Sequence, residues 1–267
     1  MKISFRMTRC VLAMTVGFAL TLFGCATTPP AVVEADPSIL RVGVSADSPP
    51  LIYKQGEEIT GLEAEMAVAL AEYLEKTAVF VEIPWEDQIP ALLDNRTDII
   101  MSGMSVTLAR EYKIAFSKPY FKSGLMILVK DLHKFAFIKN VETVLAQSIT
   151  WRIGVVKGTT GESFTRRKST GAKSLKAFPN QEEALKALVA GRIDVFIHDA
   201  PMVLMMAAQH QSDGVRPLPV MLNEEYLAWG LRKDDPDLLE AVNAFIGQAN
   251  RQGKMQTVIK RWCGTCC

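Results

Sequence analysis

Arg110 and Asp199 are the side chains with the clearest chemical use in this sequence: a cation and an anion, each placed just past a buried apolar run. Arg110 ends the stretch Asp98-Ile99-Ile100-Met101-Ser102-Gly103-Met104-Ser105-Val106-Thr107-Leu108-Ala109-Arg110. That stretch reads as a short strand, a Gly/Ser turn and the start of a helix capped by Thr107. Backbone N–H groups and the positive end of a helix converge at such a junction, which suits an anion. Arg110 adds a planar fork of donors for a carboxylate. Taken alone, a first-turn arginine is more often a solvated surface charge.

A second copy of the pattern favours the binding role. Ala91-Leu92-Leu93-Asp94-Asn95-Arg96-Thr97-Asp98-Ile99 is echoed by Ala187-Leu188-Val189-Ala190-Gly191-Arg192-Ile193-Asp194-Val195. Both read as helix end, tight turn and buried strand. Continued in register, Ser102-Gly103 falls opposite His198-Asp199. Two such units predict two α/β lobes, since a solenoid needs more repeats at a shorter period. Ligands of open α/β sheets bind beyond the carboxyl ends of strands. A cation on one lobe facing an anion on the other fits a zwitterion.

The elements that position these ends come from the rest of the chain. Its 267 residues allow one large or two small domains, and a net charge of +1 without a basic stripe argues against nucleic acid. Lys2, Arg6 and Arg9 precede the apolar run Cys10–Phe23, which is short for a membrane span and typical of a signal peptide. Leu22-Phe23-Gly24-Cys25 resembles the bacterial lipobox, with Phe23 bulkier than usual there. The expectation is a signal peptide at 1–24, lipidation at Cys25 and a Pro/Ala/Thr-rich linker through residue 38. An ordinary secretory signal with an incidental cysteine is the alternative.

Ile39–Val44 predicts the first strand, and Ser45–Leu51 a loop, because two prolines bar a central strand. The apolar spacing from Gly61 to Lys76 predicts a core helix, and Val79–Ile83 a strand that ends at Pro84-Trp85. Trp85 is either a packing residue or an amphipathic wall of a ligand cleft. Leu125–Val129 is apolar enough to cross between lobes, and Tyr226–Leu231 to return. Lys157-Gly158-Thr159-Thr160-Gly161 forms another anion-friendly turn but lacks the ending of a nucleotide P-loop. Asn180, Glu183 and Gly191 bound a helix before the strand Val195–Ile197.

The order Gly61-Leu62-Glu63, Ile89-Pro90-Ala91-Leu92, Gly103-Met104-Ser105-Val106-Thr107-Leu108-Ala109-Arg110, Phe116-Ser117-Lys118-Pro119-Tyr120, Gly158-Thr159-Thr160 and His198-Asp199-Ala200-Pro201 resembles the polar amino-acid-binding proteins of bacterial ABC importers. These are the family-3 extracellular solute-binding proteins. The resemblance implies an α/β type II periplasmic-binding fold, two lobes joined by two crossover strands with the ligand between them. It divides the chain into lobe 1 at 39–125 and 223–262, lobe 2 at 126–222, and a Cys-rich tail at 263–267. It implies a monomer that takes an amino acid and passes it to permease subunits, with no cofactor, metal or catalytic residue.

Carried over by position, Arg110 clamps the α-carboxylate with donors at Gly103, Ser105 and Thr160, Asp199 accepts from the α-ammonium, and Trp85 is an aromatic wall. Ser48, Ser102, Thr159 and His198 complete the expected site. The family's glycine-phenylalanine-aspartate pattern is Gly61-Leu62-Glu63 here, Ser48 and Leu51 stand where many relatives have an aromatic and a phenylalanine, and Ser45 where some have an aspartate. Two alternatives stay open: a cyclohexadienyl dehydratase on the same scaffold and a ligand-sensing lipoprotein. In the dehydratases a general-acid glutamate stands where this chain has Met202. Cys263, Cys266 and Cys267 are expected to form a local disulfide with one thiol left over, or an inert tail.

Overall fold

The computed structural model describes residues 36–169 and 171–264. The expected signal peptide, Cys25, the expected linker up to residue 35, Cys266 and Cys267 lie outside the described residues. Within them, two five-stranded sheets share one plan. The first orders its strands Thr77–Glu82, Ile39–Val44, Ile99–Ile100, Gly230–Leu231 and Ala115–Phe116; the second orders Ser174–Phe178, Arg152–Val156, Val195–Asp199, Leu125–Val129 and Arg216–Leu218. In each, the first three strands are parallel and the fourth runs antiparallel to both its neighbours. Helices pack on both sheets, Leu62–Tyr73 and Gln88–Leu93 in lobe 1, Thr160–Lys168, Gln181–Val189 and Ala200–Gln209 in lobe 2.

The sequence repeat is the physical core of this likeness. Asn95 and Gly191 occupy the same left-handed turn position, with φ of 58° and 67°. Three residues later, Asp98 and Asp194 do the same work. Asp98 accepts from the Arg41 backbone N–H at 2.8 Å and from its guanidinium at 3.1 and 2.6 Å. Asp194 accepts from Arg152 at 2.7, 3.1 and 2.6 Å. Each pair fastens the repeated strand to the strand beside it, at the end of the sheet opposite the cleft.

Caps follow the local sequence. Asn180 Oδ1 accepts from Glu183 N–H at 2.9 Å, and Asp235 Oδ1 from Leu238 N–H at 3.1 Å. Three local readings need correction. Leu125–Val129 does not cross between lobes: all five residues are buried in the lobe 2 sheet. The crossing pair is Phe121–Ser123 with Glu225–Leu227, whose alternating burial fits a ribbon with one wet face. The stretch after Ser45 is not all loop either, since Asp47–Ser48 pairs with Ile52–Gln55 in a small three-stranded sheet. Cys263, expected in a tail, is the last residue of the helix Lys254–Cys263 and is buried in the core. Among the described residues no helix is long and apolar enough to cross a membrane.

Candidate functional site

Between the two sheets lies a cavity of about 300 Å³ into which the carboxyl ends of both repeated strands open. Lobe 1 supplies Ser48, Trp85, Ser102 and Gly103, and lobe 2 supplies Thr159, His198 and Asp199. Arg110 and Thr160 line an adjoining space that shares Thr159 with the first. Ser105 lines neither, but its carbonyl accepts from Arg110 Nη1 at 2.7 Å.

Arg110 is positioned from three sides. Thr107 Oγ1 accepts from its backbone N–H at 3.3 Å, as a cap does. Its Nη2 donates across the cleft to the Gly158 carbonyl at 3.2 Å. Its Cζ stands 5.1 Å from the centre of the Trp85 ring, in cation–π range. The helix Leu108–Glu111 has only four residues, so the expected helix dipole is short and the positive charge here is that of Arg110 itself. Burial pushes its pKa down, while the carboxylates of Asp199 and Glu225 oppose that shift. The guanidinium makes bonds to carbonyls and no ion pair among the described residues, so a carboxylate partner is open to it.

Asp199 begins the helix Ala200–Gln209 at the position where an aspartate ordinarily caps, yet its side chain makes no cap bond. Pro201, early in that helix, contributes no N–H. Asp199 is buried, its Oδ1 has no hydrogen-bond partner, and its Oδ2 lies 3.1 Å from His198 Nδ1. The Asp199 backbone N–H donates to the same ring nitrogen at 2.7 Å. A buried carboxylate with an idle oxygen is stabilised by an incoming donor.

The other expected donors divide sharply. Ser102 Oγ accepts from Ser45 N–H at 2.8 Å, which leaves its own O–H to give. Gly103 N–H points away from the cleft, to Glu63 Oε1 at 3.0 Å. Gly103 sits at φ 65°, where a side chain would meet Leu51 at 2.9 Å, so only glycine makes this turn. Thr159 is a helix cap whose hydroxyl donates to the Val156 carbonyl at 2.7 Å. Thr160 Oγ1 donates to Glu225 Oε2 at 2.9 Å. Gly103 N–H, both threonine hydroxyls and the Thr159 N–H, which donates to the Val156 carbonyl at 3.4 Å, are therefore committed within the protein; what Thr160 offers a solute is its backbone N–H at the start of a nine-residue helix. The Ser48 hydroxyl lies 3.2 Å from Asp47 Oδ1 on the rim.

Three residues outside the expected site shape it. Glu63 is fully buried and accepts from Gly103 and from the Tyr120 hydroxyl. Burial pushes its carboxyl up to about 7. Glu225 lies in the returning crossover strand, and Gln181 enters the cavity from the first turn of its helix. The lobes also touch at the rim, where Lys157 Nζ lies 3.0 Å from Glu86. No group of three or more potential metal ligands occurs among the described residues.

The model of the bacterial extracellular solute-binding proteins, family 3, matches residues 40–265. The L-cystine-binding protein TcyJ of Escherichia coli strain K12 is 27% identical, over 84% of this chain and 82% of its own length. The histidine-binding periplasmic protein of Salmonella typhimurium is 27% identical, over 94% of this chain and 96% of its own. Among solved structures, the ancestral amino acid-binding protein AncCDT-1, a precursor of cyclohexadienyl dehydratase, superposes with a TM-score of 0.76 at 33% identity, covering 85% of this chain and 96% of that one. An ancestral arginine-binding protein bound to arginine gives a TM-score of 0.76 at 28% identity, covering 84% and 98%.

Proposed function

Because the chain belongs to the bacterial extracellular solute-binding proteins, family 3, we propose that it captures one free amino acid as a zwitterion and hands it to the permease of an ABC importer. The observation that carries this reading is the pair of unsatisfied, opposite charges at the cleft. Arg110 makes no ion pair among the described residues, and the buried Asp199 Oδ1 has no partner. An α-carboxylate completes the first and an α-ammonium the second. Ser102 O–H and the Thr160 backbone N–H add donors on the carboxylate side. Trp85 closes one wall of the space for the side chain.

The cavity lining includes Asp47 and Asp199 and no lysine or arginine. An acidic side chain would find no cation there, so the solute is neutral or basic. The basic and neutral solutes named for the relatives, arginine, histidine and cystine, are of that kind. Export and a lipid on Cys25 would keep the protein, as a monomer, beside its permease. A lipoprotein that reports occupancy to a membrane receptor would use the same cleft. For an enzyme of the dehydratase kind, a proton donor must reach the leaving group; Met202, which lines the cavity at the corresponding place, has no proton to give.

A thermal-shift panel of the common amino acids, with prephenate included, tests the reading. A ligand at a hundred times its Kd stabilises the folded state by about 2.7 kcal/mol, enough for a shift of roughly a few degrees in a chain of this size. A shift with one or a few basic or neutral amino acids supports capture. A shift with prephenate alone, together with formation of an aromatic product, would replace this proposal with the enzyme.

A further inference from the structure

Glu225 is a buried carboxylate at the start of the returning crossover strand, and its two oxygens are tied to different parts of the molecule. Oε2 accepts from the hydroxyl of Thr160 at 2.9 Å, the first residue of the lobe 2 helix that faces the cleft. Oε1 accepts from Asn223 Nδ2 at 2.7 Å. Asn223 in turn accepts, through Oδ1, from the backbone N–H of Leu125 at 2.8 Å, just past the outgoing crossover strand. Both crossings and the site helix thus meet at one side chain. Glu225 also lines the same space as Arg110, and its charge opposes the fall in the pKa of that arginine.

Two neutral donors are few for a buried carboxylate, which has room for about four. A charge kept in such a place is costly unless its position matters. The Thr160 hydroxyl, for its part, has no other role that would hold the beginning of its helix against the crossover ribbon. If the Glu225 bond is lost, the helix start and its backbone donors are free to shift relative to Arg110, and donors that must converge on one carboxylate lose strength quickly with misalignment.

We propose that Glu225 is a positioning residue of the solute site: it holds Thr160 against the crossover strands so that the backbone at the helix start and Arg110 converge on the α-carboxylate. The proposal rests on the amino-acid reading of the cleft. It follows that Glu225 acts on the main-chain end of the solute, which all α-amino acids share, and leaves selectivity among side chains alone.

The test is a calorimetric titration of the full chain with L-arginine, L-histidine and L-glutamine, using wild type, Glu225→Ala, Glu225→Gln, Thr160→Val and the Glu225→Ala/Thr160→Val double variant, with urea midpoints taken in parallel. Glu225→Ala and Thr160→Val should each weaken binding about tenfold, and the double variant by no more than either alone, because both remove one bond. Glu225→Gln keeps an acceptor oxygen and should stay within about threefold of wild type. The ratio of affinities among the three amino acids should not change. A purely structural role would lower the urea midpoint without the non-additive loss of affinity or the glutamine rescue. Unchanged affinity in Glu225→Ala, losses that multiply in the double variant, or a changed ratio among the amino acids would overturn the proposal while leaving the amino-acid reading intact. If wild type binds none of the three, the amino-acid reading fails for these solutes and the proposal falls with it.

Discussion

Replacing Glu63 with glutamine should favour the variant over wild type more at pH 8 than in mild acid. The Glu63 carboxyl has no exposed surface, two donors on Oε1 and no partner on Oε2. Burial holds its pKa at about 7, against an ordinary value of 4.5. A carboxyl whose pKa is raised in the fold is protonated there when it is already ionised in the unfolded chain. Stability therefore falls as pH rises from the unfolded value towards the folded one, and the loss is complete above about 7. A rise of that size corresponds to roughly 3 kcal/mol, most of which develops between pH 5 and pH 8. Glutamine cannot ionise, and its carbonyl can keep the bonds from Gly103 and Tyr120. Any fixed cost of burying its NH2 group is the same at both pH values and cancels in the comparison. Urea unfolding of wild type and Glu63→Gln, followed by tryptophan fluorescence at pH 5 and pH 8, should show the variant gaining about 2–3 kcal/mol relative to wild type across that interval. A difference between the two proteins that does not move with pH would refute a neutral buried Glu63 and the inference that burial sets its pKa.

Other consequences follow from the same contacts. Arg110→Ala should weaken amino-acid binding by a factor of a hundred or more, on the order of the 3 kcal/mol expected for a charged pair left incomplete, with little change in the urea midpoint; isothermal titration checks both statements. Lys157→Glu should cost a few-fold in affinity by opposing Glu86 across the cleft, and the swap Glu86→Lys with Lys157→Glu should restore it. Because that pair is more than a third exposed, with side-chain exposures of 60% and 47%, the effect should fade in 1 M salt. Asp194→Ala should lower the urea midpoint through loss of its bonds to Arg152, by a modest amount because the pair is partly exposed, while the affinity per folded molecule stays the same.

What the sequence makes legible is what its periodicity and strand ends carry. The repeat at 91–99 and 187–195 predicts matched sheets because turn, strand and carboxyl end are all local features, and the two sheets do share one strand plan. The placement of Arg110 and Asp199 at the cleft follows from the same strand ends. Leu125–Val129 misleads because a run of buried residues has no direction written in it: a central strand and a crossover look alike until pairing is known. Glu63 and Glu225 stay hidden for another reason. Their partners, Gly103, Tyr120 and Thr160, are 40, 57 and 65 residues away in the chain. The one local hint is at Glu63, a charge set among Leu62, Ala64 and Met66, all buried. Donor commitment is likewise a three-dimensional property: the motif suggests Gly103 and Thr160 as donors, but only coordinates show the Gly103 N–H and the Thr160 hydroxyl turned to Glu63 and Glu225.

On the proposed function, the cleft recognises both charges of an amino acid, one with Arg110 and one with Asp199. The most direct test is calorimetric titration with the amino acid that gives the largest thermal shift, its decarboxylated amine and its deaminated acid, each against wild type, Arg110→Ala and Asp199→Asn. Tight binding is expected of the intact amino acid alone, with both analogues and both variants weaker by a factor of a hundred or more. An analogue lacking either charged group that binds wild type as tightly as the amino acid itself would contradict it.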